Sequence, residues 1–304
     1  MFGLVLIILG VIAVAPFIIE RRKADMNQTI RDLAPNEFAK LSDGHTHYKW
    51  HGPPDGPVLV CVHGLTTPSF VWDAMMPELV DAGYRVLTYD LFGRGMSDRP
   101  KGTQTRSFFM RQLRDLLQHE GVQNGFTLMG YSMGGSIVTV FAAEEPARVG
   151  HLVLLAPAGM EHVPSRLSEF ARKVPWLGDW VMLTFGGLEL RKIARNAPAS
   201  DSIRERMAEE PDWRGYLPAV LSSQRNLLAE TLEEEHRAIH KSGVPVTAIW
   251  GELDTVIPLS AMGKLVEWNR DAHQATIPDA DHALGMSHPV EVVKAMTDLI
   301  AKRG

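Results

Sequence analysis

Short apolar runs and amphipathic stretches alternate along most of this 304-residue chain, the mark of an α/β fold with a mostly parallel central sheet and helices on both faces. Two further features refine that expectation. Between Pro157 and Gly243 the strand pattern stops for about 85 residues, too long for a structureless loop, and helical periodicity returns with prolines at 164, 175, 198, 211 and 218 punctuating it. This predicts a helical cap inserted into the sheet domain. At the N-terminus, residues 2–19 carry no charged side chain, which predicts a transmembrane anchor.

At 1.5 Å per residue the apolar segment crosses most of a bilayer's hydrocarbon core. Arg21, Arg22 and Lys23 follow it, and Pro16 sits directly after the Ala13-Val14-Ala15 triplet, where it obstructs signal cleavage. An uncleaved anchor with the folded part on the cytoplasmic side is therefore expected. The alternatives are a cleaved signal, giving a secreted or periplasmic protein, and a buried helix of a soluble one. The expected organisation is an anchor over 1–20, a linker over 21–40, a first core part over 41–157, the cap over 158–243 and a second core part over 244–304.

Within the core, short extended segments at 38–41 and 45–51 predict opening antiparallel strands. The βα alternation then runs through a strand at 58–62, a helix at 72–82, a strand at 85–89, a helix at 108–120, a strand at 126–129, a helix at 133–144 and a strand at 151–156. Cap helices are expected over 165–173, 180–194, 203–209 and 216–240. Strands at 244–250 and 274–278 and a helix at 289–302 complete the core. Segment 174–185 is unusually apolar and holds two tryptophans, so it either packs inside or dips toward lipid.

Hydrophobic residues make up 45% and charged residues 22% of the chain, enough to bury one large core. A net charge of −5 and the lack of a basic cluster beyond 21–23 argue against nucleic acid as a partner. Cys61 lies inside a strand and reads as a small buried apolar residue. No ligand cluster has metal spacing, and no organic cofactor is implied.

The chemistry concentrates at strand ends. Gly130-Tyr131-Ser132-Met133-Gly134-Gly135 joins a strand to a helix, and a G-x-S-x-G turn there projects the Ser132 hydroxyl as a candidate nucleophile. A serine needs a base, and the base needs a group to orient it. Asp254 follows the strand at 244–250, and His282 lies on the loop before the last helix. Asp279 and Asp281 are alternatives for the acid; Asp254 is preferred because a side chain adjacent to His282 points away from it on an extended loop. Backbone N–H groups of Leu65, after the strand at 58–62, and Met133, after the nucleophile, are the expected oxyanion donors. His63 reads as a loop brace. Met160 and Leu65 are expected at the pocket wall, and Arg94 as either a phosphate clamp or a salt-bridge partner of a carboxylate.

His63-Gly64-Leu65, Gly130 to Gly135, Gly251-Glu252-Leu253-Asp254 and His282, with Asp90-Leu91-Phe92-Gly93-Arg94-Gly95-Met96-Ser97, together resemble the α/β-hydrolases of the esterase, lipase and C–C hydrolase branch. The order Ser132, Asp254, His282 is that of this family. The resemblance covers about residues 41–304. It departs at Asp281, where the family has glycine. It implies a lid at the insertion and a serine hydrolase acting on carboxylic esters, with the anchor tilting the substrate toward lipid-like ones as in membrane-anchored monoacylglycerol lipases. Alternatives are a C–C bond hydrolase, a cofactor-free perhydrolase, or a non-catalytic membrane-bound binding protein on the same fold. Serine at 132 disfavours the dehalogenase and epoxide hydrolase relatives, which carry aspartate there.

Overall fold

The computed structural model describes residues 2–34 and 37–302; Met1, Pro35 and Asn36 of the expected linker and the last two residues of the second core part lie outside them. Helix α1 (Phe2–Arg22) and the short α2 (Gln28–Leu33) precede strands β1 (Glu37–Leu41) and β2 (Gly44–His51). Then follow β3 (Val58–Val62), α3 (Met76–Asp81), β4 (Arg85–Tyr89), α4 (Arg106–His119), β5 (Phe126–Tyr131), α5 (Met133–Glu144) and β6 (Val149–Leu155). The inserted cap holds α6 (Arg166–Lys173), α7 (Leu177–Val181), α8 (Gly187–Asn196), α9 (Asp201–Glu209), α10 (Tyr216–Arg225) and α11 (Glu233–Ser242). The chain returns through β7 (Val246–Gly251), α12 (Ser260–Trp268), β8 (His273–Ile277), α13 (Leu284–Ser287) and α14 (Pro289–Ala301).

Among the described residues the strands form one eight-stranded sheet in the order β1-β2-β4-β3-β5-β6-β7-β8. β1 and β2 pair antiparallel, β2 meets β4 antiparallel, and every later pairing is parallel. Alternation along β3 shows why helices must cover both faces. Val60 and Val62 enter one core with α4, α5 and α12, while Leu59 and Cys61 enter the other with α3 and α14. Burial pushes the Cys61 thiol well above its ordinary range.

Several boundaries differ from the sequence expectation for local reasons. The helix expected at 72–82 is a 3₁₀ turn at Ser69–Trp72 followed by α3, because Pro77 belongs in a first helical turn and sets the start at Met76. The helix expected at 216–240 is broken between α10 and α11. There the Asn226 amide donates to the Ser222 carbonyl at 2.7 Å, competing with the backbone ladder, and the Leu232 N–H leaves to bond Gly159. The stretch expected as one helix at 180–194 contains a π turn at Met182–Gly186 between α7 and α8. The linker is not extended: α2 lies within it, and Ala24 forms a parallel bridge with Trp213 of the cap. α12 was not anticipated, since its apolar pattern is short and contains Gly263.

α1 is long and apolar enough to cross a membrane, with a mean hydropathy of 3.0 in its most apolar window, and only Pro16 and Glu20 are buried in it. Segment 174–185 divides between the two readings given to it. Gly178 and Met182 face inward, whereas the Trp176 ring is 85% exposed and Leu177 and Phe185 are also exposed.

Candidate active site

β5 ends at Tyr131 and α5 begins at Met133, so Ser132 alone makes the turn, at φ 54° and ψ −118°. A non-glycine residue in that region stores of order 1–3 kcal/mol of strain, which its surroundings must hold. Here the Ser132 N–H donates to Leu155 at 3.0 Å, and its carbonyl accepts from Gly135 and Ala158 at 2.9 and 3.0 Å. Gly134 is required because a Cβ there would run into the Val62 and His63 carbonyl oxygens; one on Gly130 would strike the Gly134 carbonyl. The close approach of β3, β5 and α5 thus aims the hydroxyl out of the sheet's carboxyl edge, where ligands of open α/β sheets sit.

His282, between β8 and α13, places Nε2 3.0 Å from Ser132 Oγ and Nδ1 2.7 Å from Asp254 Oδ2. The Asp254 carboxylate is nearly fully buried while the imidazole side chain is 20% exposed. Asp254 Oδ1 accepts from the Val256 and Ile257 N–H groups at 2.8 Å each, so the carboxylate is held from behind. Asp281 turns away and accepts from the Ala283 N–H at 2.8 Å. Asp279 occupies a left-handed turn at φ 57°. Of the three candidate acids, Asp254 meets the imidazole.

The two expected oxyanion residues flank Ser132. Met133 opens α5, so its N–H is among those with no acceptor inside the helix. Leu65 lies on the loop after β3 and lines the same cavity as Ser132 and His282. Arg94 holds this loop: its Nε donates to the Leu65 carbonyl at 3.0 Å, and its other nitrogens reach Phe92, Gln104 and, in the cap, Ser223 at 2.8 Å. Those acceptors are carbonyls, an amide and a hydroxyl; the ion pair with a carboxylate expected from sequence is not formed among the described residues. His63 braces the same loop. Its Nδ1 bonds the Gly64 carbonyl at 2.8 Å and its Nε2 accepts from the Leu91 N–H at 2.9 Å, and burial drives its pKa down to about 4.

The cavity over Ser132 encloses about 230 Å³. The core supplies Leu65, after β3, and Tyr131, at the end of β5, to its wall, and the cap supplies His162, Met182, Leu190 and Val220 among others. Met160, expected there, packs instead in the main core. Sequence reading missed Tyr131, whose hydroxyl donates to the His282 carbonyl at 2.9 Å and whose ring lies 5.3 Å from the imidazole. Its place inside the G-x-S-x-G turn was the available signal. It also missed His162, held below its ordinary pKa by burial and by Arg172.

Residues 57–289 match the alpha/beta hydrolase fold family, and the chain belongs to it. It is a hydrolase of that fold. A pimeloyl-[acyl-carrier protein] methyl ester esterase of Aromatoleum aromaticum is 28% identical over 258 residues, 80% of this chain and 98% of that protein. A haloalkane dehalogenase of Mycolicibacterium paratuberculosis is 28% identical over 241 residues, 76% of each chain. The crystal structure of a bacterial membrane phospholipase A superposes with a TM-score of 0.72 at 20% identity, covering 99% of this chain and 97% of the other, a likeness of fold.

Proposed function

We propose that this chain is a serine hydrolase that cleaves carboxylic esters through an acyl-enzyme on Ser132. The observation that carries the reading is the continuous path from Ser132 Oγ through His282 to a buried Asp254, at 3.0 and 2.7 Å. His282 takes the hydroxyl proton as Ser132 attacks the ester carbonyl, then returns it to the leaving alcohol. Asp254 fixes the imidazole with Nδ1 protonated and supports the charge that forms on it. The Leu65 and Met133 N–H groups receive the oxyanion, each donor contributing about 3–4 kcal/mol to the transition state. Water, activated by the same imidazole, releases the acid.

The methyl ester cleaved by the Aromatoleum aromaticum relative supports ester chemistry for this chain. The mostly apolar wall built by Leu65, Met182, Leu190 and Val220 suits an acyl chain. In this reading the cap over 158–243 shapes the acyl pocket, and α1 anchors the protein in a membrane with Arg21, Arg22 and Lys23 on the cytoplasmic side. The substrate class is a small ester, with lipid-like esters favoured.

A panel of p-nitrophenyl and glycerol esters of graded acyl length tests the assignment. Turnover rising from acetyl to medium-chain esters is expected from the apolar wall. Absence of turnover across the panel would refute ester hydrolysis.

A further inference from the structure

α1 does not stand free of the cap. A helical carbonyl accepts from the N–H four residues on, and Pro16 has none to give to Ile12. Trp180 of α7 supplies the missing donor: its Nε1–H bonds the Ile12 carbonyl at 3.0 Å. Ile12, Pro16 and Glu20 follow at intervals of four and share one face of α1, and Pro16 and Glu20 are buried against the protein. The base of the helix is latched as well. Glu20 accepts from the Gly215 N–H at 2.7 Å, the Arg214 N–H donates to Ala24 at 2.8 Å, and Arg214 pairs with Asp25.

This grip limits how far α1 can reach alone. From Phe2 to Ile12 the helix rises about 15 Å, roughly half of a hydrocarbon core. If α1 spans, the part of the cap beside Ile12 lies below the membrane surface. The side chains agree. Val14, Phe17, Ile18 and Ile19 are exposed on α1 below the contact, and Trp176, Leu177, Phe185 and Leu188 are exposed on the cap around Trp180. Trp176 lies one turn before Trp180, whose N–H donates to the Trp176 carbonyl, and the Phe185 ring is 6.0 Å from that of Trp180.

Resting on the membrane reading of α1 above, we propose that the cap face formed by Trp176, Leu177, Phe185 and Leu188 is inserted in the leaflet that α1 enters, fixed at that depth by the hydrogen bond from Trp180 to Ile12. The partner is the acyl-chain region of a lipid bilayer. Met182 and Leu190, on the same helical run, line the cavity over Ser132. About one helix diameter, roughly 10 Å, therefore separates lipid from the cavity.

The test uses the full-length chain in vesicles of phosphatidylcholine and phosphatidylglycerol carrying nitroxides on the headgroup or at mid-chain. A fluorophore is attached at Ile7→Cys, Leu177→Cys, Leu188→Cys or, as a control on exposed α14, Lys294→Cys; Cys61 is buried and takes no label. Mid-chain nitroxides should quench the probes at 7, 177 and 188 by roughly twofold or more and spare the probe at 294. Trp180→Phe, which keeps the ring and removes the donor, should relieve quenching at 177 and 188 while leaving that at 7. Quenching at 7 but no more at 177 and 188 than at 294 would overturn the proposal, leaving α1 ending in mid-bilayer with the cap outside. No quenching at 7 would overturn it together with the membrane reading. Hydrolysis of a short soluble ester, followed in the same samples, reports separately on the catalytic reading.

Discussion

Asp254 divides its two oxygens between the imidazole and two backbone N–H groups, so replacing it by asparagine keeps its shape but turns an N–H toward a protonated Nδ1. Asp254→Asn should lower kcat by roughly 10³–10⁴-fold with the fold intact, as loss of the tautomer-fixing acid does in other serine triads. Asp281→Asn should leave kcat within a few-fold, since that side chain only caps its own loop; steady-state kinetics on one soluble ester compares the two. His236 gives a test that catalysis does not touch. It is buried with no protein partner on either ring nitrogen among the described residues, its ring stacks on Trp268, and burial lowers its pKa to about 4. Between about pH 6.5 and 4 the unfolded chain holds a proton there that the folded one does not, so this stability is present above 6.5 and lost as pH falls. His236→Leu should therefore gain about 2 kcal/mol relative to wild type at pH 5 compared with pH 8, read by urea unfolding. His63 acts in the same direction but also accepts from Leu91, which would confound its replacement. Ser132, Asp254 and His282 were legible in the sequence because each sits in a short local context of strand, loop and helix. The ties of Arg94 to the Leu65 carbonyl and Ser223 were not, because nothing local marks acceptors that lie 29 and 129 residues away.

The elements impose their own constraints, and two glycines separate close approach from mere permissiveness. Gly134→Ala should cost about 1–3 kcal/mol and depress activity, because a Cβ against the Val62 and His63 carbonyls must push β3 and its oxyanion loop away from α5. Gly263 in α12 has nothing near its would-be Cβ, so Gly263→Ala should add about 0.5–1 kcal/mol. Thermal and chemical denaturation of both variants decides. The central strands β3 to β7 were readable because their apolar runs are almost wholly buried and bounded by glycine and proline. The cap was readable as helical but not in its breaks: the kink at Asn226 depends on a side chain choosing the Ser222 carbonyl, and the π turn at Met182–Gly186 leaves no mark in apolar periodicity. α2 escaped notice because a polar six-residue helix, capped by Asn27 and tied through Arg31 to Asp98 after β4, has no hydrophobic pattern to read.

At the scale of the whole molecule, α1 is bonded to the cap, and the cap lines the cavity over Ser132, so the proposed anchor and the proposed nucleophile belong to one connected path. Composition alone predicts an anchor at α1; its grip on the cap depends on the Ile12 carbonyl, left without a helical donor by Pro16, meeting a tryptophan 168 positions along the chain, which no local pattern records. The full-length protein should stay with membranes through high salt and carbonate, since apolar burial is not screened. Deleting residues 1–23 should leave turnover of short soluble esters within a few-fold, because Ser132, Asp254 and His282 lie elsewhere. The same deletion should lower Tm, by uncovering Leu183, Leu217 and Leu221 of the cap, and slow attack on vesicle-borne esters. Unchanged Tm with unchanged vesicle activity would refute the coupling of anchor and cap. The central claim is that Ser132 is a nucleophile made reactive by His282, and reaction with a fluorophosphonate followed by peptide mass spectrometry tests it most directly. A single adduct on the peptide containing Ser132 is expected, lost in Ser132→Ala and strongly slowed in His282→Ala; an unlabelled Ser132 in protein that turns over esters, or labelling that survives Ser132→Ala, would contradict it.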